Sequence, residues 1–380
     1  MNIKRNQLLF VALSCIIGLS IYIYLNMSDE FPAGWKNPIN LKITGGSPSL
    51  IIENDKFFLA FNKKGNEESI IAILTSEDGK EWITTDYIER NIEDVYTPSS
   101  PQWLQRPNGE IWLLWNSGRK FDDGVKGIKY YAVLKEDGTL SEPSILYFSD
   151  DVRCSLCKMA NTASGGFASL HMYYPPSYIY LQGRKIEGEG DSDTLIRIAD
   201  NNLHWNDSIT LSDTAFSSCE DIILDDEGTL WVLYSESNPK DAVYLRTSED
   251  GKTWSEPIFI TKENTVRLFQ RHNGQYLLFF ITDDDSIYVK YSQDGNNWSR
   301  SHFIANVIGA MNLAIAESSV GTLWVIIDGN DFHVIEFSDK KYCEDMNLLQ
   351  NLHQKNGSLA IGTALLFLIL SFVFERKISR

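Results

Sequence analysis

Apolar and polar positions along most of this chain follow one phrase: an apolar run, a polar turn bearing Asn, Asp or Gly, then an aromatic-rich run. It reads LIIENDKFFLAF (50–61), WLQRPNGEIWLLW (103–115), IILDDEGTLWVLY (222–234), LFQRHNGQYLLFF (268–280) and LAIAESSVGTLWVI (313–326), and more loosely KMANTASGGFASLHMY (158–173). Each is a hairpin signal, two β-rich runs around a tight turn. Behind the phrase stands a third apolar run, such as AVYLRT or SIYVKY, then an octet, TSEDGKEW (75–82), TSEDGKTW (247–254) or YSQDGNNW (291–298), then a fourth run such as EPIFIT. IADNNLHW (198–205) is a degenerate octet.

Four short antiparallel strands recurring six times, from starts near Ser47, Ser100, Arg153, Ser218, Thr265 and Gly309, predict the blades of an all-β six-bladed propeller. The last unit, ending DFHVIEFSDKKYC, lacks an octet and a fourth strand, whereas WKNPINLKIT (35–44) repeats the Trp-x-x-Pro form of WSEPIFIT (254–261). The pattern therefore predicts that residues 35–44 close the ring as the outer strand of the last blade.

Two stretches break the β pattern. Leu8–Leu25 is apolar behind Lys4 and Arg5, and Leu359–Phe374 is apolar ahead of Arg376, Lys377 and Arg380. They predict membrane helices, the first an uncleaved anchor rather than a removed signal, with both termini cytoplasmic and the propeller extracellular. The expected organisation is an anchor over 1–28, a propeller over 30–343, a juxtamembrane linker over 344–357 and a transmembrane helix with a basic tail over 358–380.

Composition adjusts this picture in three ways. At 43% hydrophobic and 12% aromatic, the 380 residues can bury a large core. The net charge is −17 and the ends are basic, so the middle is more acidic still; such a surface excludes nucleic acid and anionic lipid as partners. Cys154, Cys157, Cys219 and Cys343 lie between the apolar stretches, with their pairing open; Cys154 and Cys157 have metal or redox spacing without a second pair, so no metal and no cofactor is expected. Asn26, Asn206, Asn297 and Asn356 stand in Asn-x-Ser sequons.

The octets resemble the Asp-box, or bacterial neuraminidase repeat, of sialidase-like six-bladed propellers. Ser76, Asp78, Gly79 and Trp82 occupy the motif positions, as do Ser248, Asp250, Gly251 and Trp254, and Ser292, Asp294, Gly295 and Trp298. Read physically, the octet is a turn staple: the carboxylate accepts backbone N–H groups, glycine supplies positive φ and tryptophan packs. The resemblance implies an active face opposite these turns, with an arginine triad, a Tyr–Glu nucleophile pair and an Asp acid/base.

On that face the sequence offers Arg119, Arg153 and Arg267 as ligand-binding candidates, with Tyr173 in an aromatic Tyr-Tyr-Pro-Pro loop suited to stacking on sugars. Glu220, Asp221 and Glu236 are the candidate catalytic carboxylates. The departures are an entry segment TGGSPSL without arginine and no Tyr–Glu pair identifiable by motif. Arg153 and Arg267 have two readings, countercharge for Asp151 and Glu220 or a grip on an anionic ligand. Recognition of a glycan or a cell-surface protein is the leading expectation, and a sialidase-like glycoside hydrolase the alternative.

Overall fold

The computed structural model describes residues 34–338, apart from 65–68, 92, 123, 150–153, 174–191, 213–216 and 238–241. Contacts divide the chain into two units, the first of them Lys36–Phe337. The expected membrane helices lie outside the described residues; among those residues no helix is long and apolar enough to cross a membrane.

The first unit is a six-bladed β-propeller, every blade a four-stranded antiparallel sheet. Blade I holds β2 (Gly46–Glu53), β3 (Lys56–Lys64), β4 (Ser69–Ser76) and β5 (Ile83–Ile88); blade II holds β6 (Ser99–Gln105), β7 (Ile111–Phe121), β8 (Gly124–Val133) and β9 (Ser144–Phe148). Blade III is β10 (Cys154–Asn161), β11 (Phe167–Tyr173), β12 (Asp193–Ala199) and β13 (Ile209–Thr210). Blade IV is β14 (Ser217–Leu224), β15 (Leu230–Glu236), β16 (Ala242–Ser248) and β17 (Ile258–Thr261). Blade V is β18 (Asn264–Gln270), β19 (Tyr276–Ile281), β20 (Ser286–Ser292) and β21 (His302–Asn306).

Blade VI contains β22 (Asn312–Glu317), β23 (Leu323–Asp328) and β24 (His333–Phe337), completed by β1 (Ile39–Asn40). In the closing pair Ile39 stands opposite Val334 and Asn40 opposite His333, and Leu41 N–H donates to the Phe332 carbonyl. The segment before the first blade thus supplies the strand the last one lacks. The expected start near Gly309 falls in a turn, Ala310 N–H donating to the Val307 carbonyl; Met311 N–H donates to Asp328, and the strand begins at Asn312.

Alternation decides the packing. Central strands such as β19 and β23 are buried at every position because both sheet faces meet neighbouring blades. The resulting cores lie between blades: Phe57, Leu59 and Phe61 pack with Trp324, Ile326 and Phe332, and Trp231, Leu233 and Val243 pack with Leu268, Leu278 and Phe280. Within blades, rings stack from strand to strand. Tyr234–Tyr244–Phe259 in blade IV is repeated by Phe280–Tyr288–Phe303 in blade V.

The octet turns join third to fourth strands. Asp250 Oδ1 accepts the N–H groups of Lys252 and Thr253, both at 2.7 Å, and the Ser248 hydroxyl at 3.1 Å, while Ser248 Oγ accepts Gly251 N–H at 2.9 Å. Asp78 and Asp294 repeat the arrangement. These backbone donors hold the Asp250 carboxyl down at about 2.

Glycine in the octet has a second cause beyond its φ of +69 to +73°. A Cβ on Gly79 would meet the Trp324 ring at 2.7 Å, one on Gly251 the Ile198 side chain at 2.9 Å, and one on Gly295 the Trp231 ring at 2.0 Å. Each contact falls on the preceding blade, so the octet is an inter-blade seat as well as a turn.

Candidate functional site at the channel mouth

Because strands alternate in direction, hairpin and octet turns share one face of the ring. The loops between second and third strands, and the blade-to-blade connections, share the other. The innermost strands, β2, β6, β10, β14, β18 and β22, enter the central channel from this second face.

Three entries are strained alike. Ser47, Ser100 and Thr265, each the second residue of an innermost strand, have φ of 50–52°. Each sits in a register shift of its strand pair. Left-handed backbone is costly for non-glycine residues, most of all for a β-branched threonine. At the first entry the carboxylate of Asp328 offsets that cost by accepting Ser47 N–H at 3.1 Å.

Deeper in the channel one register position links blade to blade. It is filled by Ser49, Gln102, Lys158, Asp221, Arg267 and Ala314 in blades I to VI, each immediately before the strand's central apolar residue. Ser49 Oγ accepts Trp103 N–H at 2.9 Å, and Gln102 Oε1 accepts Met159 N–H at 2.9 Å. Lys158 Nζ donates to Asp221 Oδ1 at 2.8 Å, and Asp221 Oδ2 accepts Leu268 N–H at 3.0 Å. Arg267 Nη1 donates to the Glu220 carbonyl at 3.0 Å and Nη2 to Asn312 Oδ1 at 2.5 Å. This polar collar satisfies backbone groups that a channel would otherwise leave unpaired.

The sequence-predicted residues divide accordingly. Asp221 and Arg267 belong to the collar. Glu220 lies beside Arg267 at 3.9 Å, and burial raises its carboxyl above the ordinary value against the pull of that guanidinium and of the Ser235 hydroxyl. Glu236 is buried at the end of β15, in register with Ser217 and Ala242. Tyr173 ends β11 opposite Cys154 and Asp193; its companions Tyr174 and Tyr178, like Arg153 and Asp151, lie outside the described residues.

Arg119 is engaged elsewhere, on blade II. Its Nη1 contacts Glu93 Oε2 at 2.7 Å, its Nε donates to Asp94 Oδ1 at 3.2 Å, and its Nη2 donates to the Tyr130 hydroxyl at 2.8 Å. Tyr130 in turn donates to Asp94, and burial followed by that bond pushes its hydroxyl up to about 12. Arg119 and Arg267 thus hold different partners, on and beside blade II in one case and on blades IV and VI in the other.

Several contributors carry no motif. Asp328, buried on β23, accepts Ser47 and Met311 N–H groups, and burial raises its carboxyl. Lys129 on β8 is almost fully buried and donates to the Cys157 carbonyl at 2.9 Å. That carbonyl falls in the register shift between Leu156 and Met159, which the ladder does not serve. Burial, and then the charge of Lys158, bring the Lys129 ammonium down to about 7. A disulfide joins Cys157 to Cys219 across blades III and IV, resolving the pairing of those two cysteines.

At the rim, apolar side chains stand out in solvent: Ile308 is 70% exposed, Met311 75% and Tyr96 58%. Among the described residues no group of His, Cys, Asp and Glu is arranged to hold a metal ion.

No protein-family model matches the chain, and no curated protein matches it in sequence. Solved structures match it in fold. A protein of unknown function from Dyadobacter fermentans superposes with a TM-score of 0.59 at 14% identity, over 81% of this chain and 99% of that one. An α-L-arabinanase from Penicillium chrysogenum, complexed with arabinobiose, gives 0.52 at 11% identity over 80% and 99%. The sialidase of Trypanosoma rangeli gives 0.51 at 11% identity, over 85% of this chain and 61% of the enzyme. The propeller is thus a fold shared with glycoside hydrolases.

Proposed function

We propose that this chain is a membrane-anchored extracellular propeller that recognises a glycan or a protein at the cell surface through its channel-mouth face. One observation favours recognition over catalysis: Glu220, Asp221 and Asp328 are each engaged by hydrogen-bond donors of their own or neighbouring blades. A retaining or inverting hydrolase needs two carboxyl groups free to meet substrate, about 5–9 Å apart.

In this reading Arg267 is countercharge and a blade tie, and the three octets are Asp-boxes acting as staples on the far face. The two terminal apolar stretches anchor the chain, and the Cys157–Cys219 bridge suits an oxidising compartment outside the cytoplasm.

The test pairs turnover with binding. Full-length protein in detergent should release no chromophore from a panel of chromogenic glycosides, yet be retained by immobilised glycans. Turnover that disappears in Glu220→Gln would install the hydrolase reading instead. That second reading has its own support: a buried glutamic acid with a raised pKa beside an arginine is the form a general acid takes.

A further inference from the structure

Blade II rises above the mouth. Its β7 and β8 have 11 and 10 residues and pair outward as far as Phe121 opposite Gly124, whereas the matching strands of blade IV have 7 each. The chain arriving from blade I lines the side of this projecting hairpin: Asp94 bridges to Arg119, and Val95 N–H donates to the Gly118 carbonyl at 2.8 Å.

Residues 94–96 are held there many times over. The Asp94 carboxylate, buried, accepts the Ser117 hydroxyl at 2.8 Å, the Tyr130 hydroxyl at 3.0 Å and Arg119 Nε at 3.2 Å. The Ser117 hydroxyl also lies 2.9 Å from the Tyr96 carbonyl, its one proton shared between the two acceptors, and Arg90 donates to the Asp94 carbonyl. The edge of the Tyr96 ring abuts Gly118, where a Cβ would come within 2.3 Å of it. Asp94 and Ser117 of the mount are buried, yet the ring it carries is 58% exposed.

We propose that Tyr96 is a stacking platform for a carbohydrate ring, a reading that rests on recognition at this face and names its ligand class. A ring meant only to pack would be covered by its own blade; this one meets the backbone of Gly118 along one edge and is otherwise more than half exposed. The apolar face of a pyranose or furanose matches such a surface, which exposes a flat apolar body at low entropic cost. Beside it the Arg119–Glu93 pair, with Glu93 65% and Arg119 20% exposed, supplies donors and acceptors for ring hydroxyls. Asn116, two residues before Gly118 and so on the same side of β7, reaches the Leu156 carbonyl of blade III. The platform therefore stands over the flank of the channel that blades II and III share.

The experiment uses full-length protein with soluble arabinan, xylan and cellulose oligosaccharides and a sialylated lactose, measuring affinity by calorimetry and contact by saturation-transfer NMR. At least one sugar should bind with transfer from aromatic protons. Tyr96→Ala should then weaken it by about tenfold, as loss of a ring contact predicts. Tyr96→Leu, which keeps apolar bulk and all backbone bonds of the mount, should lose as much, and Tyr96→Phe should stay within about threefold of the parent. A sugar bound equally well by the Ala and Leu variants overturns the platform while leaving recognition standing. No binding by any sugar overturns the carbohydrate class, and retention of a protein ligand alone would assign the ring to a protein interface.

Discussion

Lys129 shows how one side chain can be placed by a defect in its neighbour. The register shift in β10 leaves the Cys157 carbonyl without a ladder partner, and a lysine from blade II fills the need although its ammonium is drawn out of water. Burial disfavours the charged form, so its folded pKa of about 7 lies far below the unfolded value of 10.5. Between those two values the unfolded chain binds more protons, so this group's contribution to stability rises with pH from about 7 to about 10.5 and is flat below 7. Denaturant melts of the parent and Lys129→Met at pH 6, 8 and 10 should show that rise in the parent and a flatter profile in the variant, whatever constant offset the lost hydrogen bond adds. Parallel profiles would mean that the lysine stays charged. The sequence shows an ordinary lysine in GIKYYAV; only the packing of blade III makes it unusual.

Among elements, the first hairpin turns of blades II and V carry the same device. Arg106 in QRPNGE reaches Asn161 and the Gly165 and Gly166 carbonyls of blade III, and Arg271 in QRHNGQ reaches Glu317 and the Gly321 carbonyl of blade VI. The Arg271–Glu317 contact is 2.7 Å with both side chains 1% exposed. Removing one partner of such a pair strands the other charge, so Arg271→Ala should cost about 3–5 kcal/mol, read as a lowered denaturant midpoint. The double variant Arg271→Met, Glu317→Leu should recover most of that loss, because the desolvated charges go together. A single variant as stable as the parent would show that the pair is solvated. The repeated Gln-Arg-x-Asn-Gly is visible in the sequence, but its partners are not, since Asn161 and Glu317 lie in differently spelled turns.

At the scale of the whole molecule, closure and cross-bridging set stability. Deleting residues 35–44 removes β1 and exposes the edge of β24, and should cost several kcal/mol, on the order of the lost pairing and apolar burial. A melting temperature unchanged by the deletion would refute closure by this segment. Reducing the Cys157–Cys219 link, which spans 62 residues, should cost about 4 kcal/mol by the chain-entropy argument. Blade count, strand order within blades, the octet turns and the closing segment can all be read from the order of residues. Those features rest on local periodicity and turn chemistry, which are written in contiguous residues, the hairpin phrase six times and the octet three. What the channel does with its charges depends on the folded ring. The collar residues Ser49, Gln102, Lys158, Asp221, Arg267 and Ala314 share a register position without sharing a residue type, so no motif marks them. The five polar ones each bond a neighbouring blade, dozens of residues away, and hydrogen bonding across that distance depends on where the ring brings two strands together. For the same reason Arg119 and Arg267, alike as arginines in the chain, end on different partners, and Tyr96 becomes a displayed ring only where Gly118 gives it a seat.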